Sequence, residues 1–416
     1  VQSSISSSTL PDYPILDAYN WARLEARSDL RSGEWMLSLD IDHTYTNRRD
    51  SAAIRIQQAY IDWYTTNADI RIGQQSLSWS RADLAIISDI LSPIDLSRFL
   101  TRDFELVQRG LVAVNYTRYW NRNFFQLIVN PVFRANTLPE PQSRWFPNRL
   151  FPSTIPVDFN TDQSNPNLFD TQLAARYAWR SNLNFDLDVG LYWWHQPNPA
   201  YRKDINLQQI GPIGLELTES YPQSWMGFLS TSITALDPFV VNAELLYTHQ
   251  RALDILPPGI QPNDLQTVTP ALLTQFATYL QQNDDGLLQN RPTLNWMGGI
   301  QYSVSDWTLS AQFIQERILN HNNQIIQSQS FNYTTLLVQK SFFRDKLQLL
   351  FQGWHHFLHQ DFWLHPKLTY QIMDNVDAEF GAHIFGGGET PPVYGHISFY
   401  DYRSNSLGYL RFNWYF

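Results

Sequence analysis

The feature that most constrains this chain is an alternation of apolar and polar residues, with a period of two, that recurs from Trp35 to Trp414. Successive strand side chains point to opposite faces, so such a segment puts a different chemistry on each side of a sheet. Leu183, Phe185, Leu187, Val189, Leu191 and Trp193 share one face, and Asn184, Asp186, Asp188 and Gly190 share the other. Trp35, Leu37, Leu39 and Ile41 oppose Ser38, Asp40, Asp42 and Thr44, and Leu173, Ala175, Tyr177 and Trp179 oppose Gln172 and Arg176. Leu294, Trp296, Ile300 and Tyr302 oppose Asn295, Gln301 and Ser303. Segments of about ten residues with two such faces suit strands that have lipid on one side and water on the other.

These segments pair through short polar turns at residues 31–34, 180–182, 237–238, 305–306, 343–346 and 373–375. Longer connections separate the pairs, at residues 80–108, 134–170, 196–223, 251–292 and 386–405. Short turns alternating with long loops are the pattern of an outer-membrane barrel, tight on the periplasmic side and elaborate outside. The fold class read from the sequence is all-β: residues 1–416 form one domain, a closed antiparallel transmembrane β-barrel of about eighteen strands, or sixteen if a weak pair fails. Even parity requires the Ser-rich residues 1–8 as the eighteenth strand; residues 331–340, whose two parities are similarly apolar, are the other weak segment. A soluble propeller or sandwich would have shorter strands, no long and short alternation and a more charged exposed face.

Composition agrees. Only 16% of the 416 residues are charged, against roughly a quarter in soluble domains. The 15 Trp, 21 Tyr and 25 Phe, spread along the chain, argue against disorder. No apolar run approaches the ~18 residues of a membrane helix. A net charge of −10 argues against a nucleic-acid partner. The absence of cysteine fits a chain that crosses an oxidising compartment without using disulfides, and the start at Val1 suggests a processed or trimmed chain. Trp21, Trp35, Trp63, Trp179, Trp193, Trp225 and Trp307 sit near expected strand ends, as interfacial girdles do.

The most distinctive stretch contains Gly73, Gln74, Gln75, Trp79, Ser80, Arg81 and Asp83, then Asp89, Pro93, Asp95, Leu96 and Phe99. It resembles an outer-membrane barrel family of unknown function in which a strand ending Gly-x-Gln is followed by Trp-Gly-x-x-Asp and then by Asp-x-x-x-Pro-x-Asp-Leu. Ser80 stands where that family usually has glycine. Porin-like barrels that export alginate are more distantly similar. Phe416 resembles the aromatic C-terminal assembly signal of bacterial outer-membrane barrels. The resemblance implies transport across the bacterial outer membrane, with the substrate unknown.

A barrel of this size has a water-filled interior unless loops fill it. The inward parity of the first strands carries Arg23, Glu25, Arg27, Asp40, Asp42, Asp62, Asp69 and Arg71. Residues 84–91 are too apolar to extend into water and are flanked by Asp83, Asp89 and Asp95. Folding inward would shelter the apolar residues and pair the carboxylates with wall arginines; an external lid or an oligomer contact is the alternative. The candidate substrate-binding residues are therefore Arg23, Arg27, Asp40, Asp42, Arg55, Tyr60, Asp62, Arg71, Trp79, Asp83, Asp89, Asp95 and Arg109. Charges mixed in sign cancel at a distance, so discrimination is expected at close range, with Tyr60, Tyr192 and Trp194 as stacking surfaces. Those aromatics can equally pack against the inserted loop. Residues 270–281 carry apolar positions at helical spacing, which predicts a short amphipathic helix at the mouth.

The function expected is a channel for passive or ligand-selective passage of polar or amphipathic organic solutes. It would be surrounded by outer-membrane lipid and lipopolysaccharide, have no cofactor, and have a homo-oligomer or partner protein as an open possibility. A sheath for a cytochrome or secretion component is the alternative. A receptor driven from the inner membrane would need a plug domain and an energy-coupling box, and neither precedes Tyr19. An enzyme is not expected. His396 and Ser398 have the spacing of an outer-membrane phospholipase pair, but Phe399 and Tyr400 follow instead of that family's Asn-Gly-Arg. His355 and His356 would point to opposite faces of a strand, which disfavours a shared metal ion.

Overall fold

The computed structural model describes residues 2–8, 17–45, 50–81, 84, 87–141, 143–147, 157–160, 170–181, 184–206, 214–266, 269–388 and 398–415. The first strands are β1 (Gln2–Ser8), β2 (Asp17–Leu30), β3 (Gly33–Tyr45), β4 (Asp50–Tyr64), β5 (Ala68–Gln75), β6 (Leu111–Trp120) and β7 (Asn123–Asn130). Next come β8 (Val157–Asn160), β9 (Gln172–Arg180), β10 (Phe185–His195), β11 (Ala200–Asn206), β12 (Gly214–Ser220), β13 (Gln223–Leu236) and β14 (Phe239–Asp254). The last are β15 (Leu288–Val304), β16 (Trp307–Ile318), β17 (Ser330–Phe342), β18 (Leu347–His356), β19 (Asp361–Met373), β20 (Val376–Gly387) and β21 (Leu407–Trp414).

Eighteen strands form one sheet. Chain neighbours pair antiparallel within it, and β7–β9 and β10–β13 pair across the strands that are left out. The Ser-rich β1 lies between β2 and β21, with Gln2 opposite both Trp21 and Asn413. The strand total nevertheless exceeds the eighteen read from the sequence. β8, β11 and β12 make a second, three-stranded sheet inside the long connections, in segments of four to seven residues, shorter than the run of about ten expected of a membrane strand.

The large sheet is turned inside out relative to a water-soluble protein. On β10, Asp188, Tyr192 and Trp194 are buried while Val189 and Leu191 are exposed; on β6, Leu111, Ala113 and Asn115 are buried while Val112 and Val114 are exposed. Leu24, Ile54, Ile61, Phe380 and Leu410 continue the outward apolar surface. The Leu37 parity of β3 therefore faces out, and Ser38, Asp40 and Asp42 face in. Among the described residues no helix is long and apolar enough to cross a membrane.

One irregularity matters for the interior. The β3–β4 register shifts between Ser38 and Leu39, leaving Gln57 as an extra residue on β4. A bulge of this kind reverses the parity of the strand beyond it. Arg55 and Asp62, of opposite parity in sequence, both face inward for this reason.

The helix predicted at 270–281 is present as α1 (Pro270–Gln282). Thr269 caps it, its hydroxyl accepting from Leu272 N at 3.2 Å, and Pro270 occupies the first turn, where a missing N–H costs nothing. Its Phe276, Tyr279 and Leu280 pack over Leu253, Ile255, Leu287 and Ile318 at the strand ends. Much of the Pro-rich 134–170 connection, and Phe416, lie outside the described residues.

Candidate functional site

Between β5 and β6, the described residues 76–81, 84 and 87–110 lie against the inward face of the large sheet. Their root explains the Gly73-Gln74-Gln75 motif. Gly73 has φ of 133°, and a Cβ there would lie 2.2 Å from the Ala59 carbonyl oxygen of β4, so only glycine fits. Gln75, fully buried, donates to the Ala113 carbonyl at 3.0 Å and accepts from Asn115 at 3.2 Å, tying β5 to β6. The bulged Gln57 donates to the Gln108 carbonyl at 2.5 Å, and Arg109 N donates to the Pro93 carbonyl at 2.7 Å. Both ends of the loop are thus fixed to one place on the wall.

From this root the loop reaches two very different surfaces. Toward β6–β17 the inward face is apolar and aromatic, and Leu77, Trp79, Ile87 and Leu91 pack into it with Tyr192, Phe228, Met297 and Ile314. Trp79 lies 5.1 Å from the Tyr192 ring and 5.4 Å from the Phe228 ring, and its Nε1 donates to Gln126 at 3.0 Å. Arg176 stacks over the Trp79 indole at 4.9 Å. The loop tip then meets charged residues of the wall: Arg81 reaches Asp188 at 2.9 Å, and Ser88 donates to Glu244 at 2.8 Å. Asp89 accepts from Trp79 N at 3.3 Å. Burial pushes its carboxyl up to about 6, against hydrogen bonds from Ser78 and Trp79 that favour the charged form.

Toward β2–β5 and β19–β21 the interior is ionic. Arg23 forks onto Asp40 at 2.7 and 3.1 Å, and Arg71 onto Asp62 at 2.8 and 2.6 Å. Arg55 pairs with Asp42, which also accepts from Tyr19 and lies 3.6 Å from Arg102 of the loop. Arg98 and Arg102 bracket the Tyr19 ring at 4.5 and 4.8 Å. Asp95 binds Arg102 at 3.2 Å and Arg109 more closely. Burial alone would raise the Asp95 carboxyl, but Arg102, Ser97 and Arg109 outweigh it and hold it at about 2. Asp103 is likewise held at about 2, burial being outweighed by Arg411, Lys367 and His365; Arg411 lies at 2.5 Å and Lys367 at 3.7 Å.

Within the wall pairs the two signs are not equally presented. The side chains of Asp40, Asp42 and Asp62 are 2%, 7% and 3% exposed, whereas those of their partners Arg23, Arg55 and Arg71 are 23%, 30% and 30% exposed. In these three pairs the carboxylate is the covered partner and the arginine the more exposed one, while Glu25, on the same parity as Arg23, is exposed beside them. Tyr60 joins the wall, with Arg71 over its ring at 4.0 Å.

The structure brings together most residues singled out from sequence, in two groups. Arg23, Asp40, Asp42, Arg55, Tyr60, Asp62 and Arg71 form the wall, joined by Asp95 and Arg109 from the loop, while Trp79 and Asp89 belong to the tip. Arg27 is exposed nearer the β2–β3 turn, and Asp83 lies outside the described residues. Trp79, Tyr192 and Trp194, read as candidate solute surfaces, are covered by packing with the loop. Glu244, Asp188, Arg98, Arg102, Asp103 and Arg411 were not singled out. Inward parity marks Glu244 on β14 and Arg411 on β21, because each is a charged residue in register with buried positions.

Of the two residues with phospholipase-like spacing, one is described. Ser398 caps a 3-10 turn (Phe399–Asn405), accepting from Tyr400 N and donating to Asp361, while His396 lies outside the described residues. His355 is exposed and His356 buried against Phe399, on opposite faces as the spacing requires.

No family model matches the chain, and no curated protein matches it. Solved structures do. Acinetobacter baumannii OccAB1 aligns with 8% identity and a TM-score of 0.52, over 99% of this chain and 92% of that one. Pseudomonas aeruginosa OccK8 (OprE) aligns with 7% identity and a TM-score of 0.52, over 99% and 96%. Pseudomonas aeruginosa OpdK, solved with vanillate, aligns with 8% identity and a TM-score of 0.50, over 99% and 95%. The chain shares the all-β fold of these outer-membrane porins along nearly its whole length.

Proposed function

We propose that the protein is a closed β-barrel of eighteen strands in the bacterial outer membrane, acting as a channel for small polar organic solutes and favouring those that carry a carboxylate or similar anion. The pairing of β1 with both β2 and β21 supports closure, because it leaves no strand without a second neighbour. The outward apolar parity suits lipid, with lipopolysaccharide around the outer rim. The observation that carries the solute class is the layering of the β2–β5 wall, arginine at the surface and aspartate beneath. Guanidinium forks match carboxylate geometry, and the buried aspartates fix their orientation. Arg23, Arg55, Arg71 and Tyr60 are the proposed contact residues, with Asp40, Asp42 and Asp62 orienting them.

The inserted loop counts against a sheath around a partner protein, since its own side chains occupy the interior. The structure of OpdK with vanillate makes an aromatic acid a reasonable first solute to test. The motif around Gly73, Trp79, Asp89 and Asp95 supports kinship with the barrel family of unknown function, because each of these residues fixes the loop that narrows the interior. Reconstitution into planar bilayers tests the reading: discrete unitary conductance is expected, and its absence from correctly folded protein refutes a channel.

A further inference from the structure

We infer that Glu244 is the positioning residue that sets the width of the passage, by holding the tip of the 76–110 loop against the far wall. The inference rests on the channel reading above. The loop is rooted on β5 and β6, while Glu244 stands on β14, separated from β6 in sheet order by β7, β9, β10 and β13. Its carboxylate is 3% exposed and accepts from three groups of the loop: the Ser80 hydroxyl at 3.1 Å, the Ser88 hydroxyl at 2.8 Å and the backbone N–H of Arg81. An ionised carboxylate is acceptor-only, and its two oxygens suit three converging donors. No neutral side chain of this length offers the same set, and bonds to a charged acceptor are the stronger kind.

The surroundings make the socket specific. Tyr192 donates to the Ser88 carbonyl at 2.9 Å, and Arg81 carries its side chain on to Asp188 at 2.9 Å, so both neighbours of the socket also touch the tip. Beneath it, Trp79 and Ile87 are buried in the apolar half of the interior. A tip released from Glu244 must leave that carboxylate with water or with no donors, and it carries Arg81 away from Asp188. Docked, it lies between β6 and β14 and takes up part of the cross-section. The loop's ionic end, where Arg98 and Arg102 meet Tyr19 of β2 and Asp103 meets Arg411 of β21, is made by other residues and does not hold the tip.

The test uses the full chain, in lipid vesicles for proteolysis and in planar bilayers for conductance. In Glu244→Ala, tryptic cleavage after Arg81 is expected to rise about tenfold, which corresponds to about 1.4 kcal/mol of lost closure, and unitary conductance is expected to increase. Glu244→Gln, which keeps an acceptor for Arg81 N, should fall between this variant and the wild type. Ser80→Ala/Ser88→Ala approaches the same contact from the loop and leaves the wall intact. It should move both readouts the same way and add little when combined with Glu244→Ala. Protection of Arg81 and conductance unchanged in both Glu244→Ala and the serine pair would overturn the inference, as would full additivity between them. Cleavage does not depend on conduction. Protected Arg81 in variants of a conducting wild type removes the socket alone, whereas exposed Arg81 in variants of a non-conducting wild type supports the socket and refutes the channel.

Discussion

The two halves of the interior use the same strand periodicity for opposite ends. From β6 to β17 the inward residues include a large aromatic and aliphatic cluster, beside polar groups such as Asp188 and Glu244, and the loop tip packs against both. From β2 to β5 they are arginines over aspartates, and their outer groups stay in contact with water. The difference shows that alternation decides which residues face inward but not what the interior does. An apolar inward face must be covered, and the loop covers it; a paired ionic face can remain wet and meet solutes. In the proposed channel, one half would shape the passage and the other would meet what enters.

The sharpest way to break this division is to remove the anchor of the apolar half. Trp79→Ala deletes a side chain that is 3% exposed between Tyr192 and Phe228, and large core truncations of this kind cost about 3–5 kcal/mol. Hydrogen exchange across residues 77–91 should speed up strongly while exchange in β2–β5 stays unchanged. An equal change in both halves would mean that they are not separate devices.

The outer surface gives the next effect. Leu191 is 61% exposed on the outward parity of β10. Leu191→Arg should cost about 2–4 kcal/mol near the bilayer midplane, read as a lower urea midpoint for unfolding from vesicles. Asp186→Asn on the inward parity should shift that midpoint little, and equal tolerance at the two positions would contradict a lipid-facing surface.

Acidity should separate the two ends of the loop, with opposite signs. Asp89 at the tip is raised to about 6, so the docked state holds its proton better than the undocked state. Docking therefore gains as pH falls from about 6 toward the ordinary carboxylate value, and loses that gain as pH rises through about 6. Asp95 and Asp103 are held at about 2. Their contribution is present above the ordinary carboxylate value and is lost as pH falls toward about 2. Exchange at 77–91, corrected for intrinsic rates, should slow between pH 7 and pH 4, and Asp89→Asn should abolish the trend; exchange at 95–103 should accelerate only below that range.

The smallest stability effect belongs to the ionic wall of β2–β5. Arg23 is part-exposed over a covered Asp40, so Arg23→Lys, which keeps the positive charge and loses the fork, should cost at most about 1 kcal/mol, measured by the same urea midpoint. Its effect should appear instead as slower entry of anionic solutes than of neutral ones.

Much of this organisation was legible in sequence because strand parity is a local property. Trp35 to Tyr45 declared both faces of β3, and the apolar centre at 84–91 with its neighbouring aspartates declared a loop that belongs inside. Four features were not legible, for identifiable reasons. The bulge at Gln57 is a register shift between two strands, and no single segment records it. The layering of arginine over aspartate depends on which partner of each pair reaches solvent, and that is set by side-chain length and by neighbours such as Tyr19 and Arg102. The role of Glu244 comes from a segment more than one hundred and fifty residues away in the chain. β8, β11 and β12 escape a sequence reading because their segments, four to seven residues long, fall short of the run of about ten that marks a membrane strand.

The central claim is that arginine, rather than a balanced mixture of charges, meets the solute. Liposome swelling with a sugar and with the sugar acid of nearly the same size tests it most directly, because neither crosses the bilayer unaided. The sugar acid should enter faster than the sugar through the wild-type protein, and that advantage should disappear in Arg23→Ala/Arg55→Ala. Equal entry of the two solutes through the wild type, governed by size alone, would contradict the account.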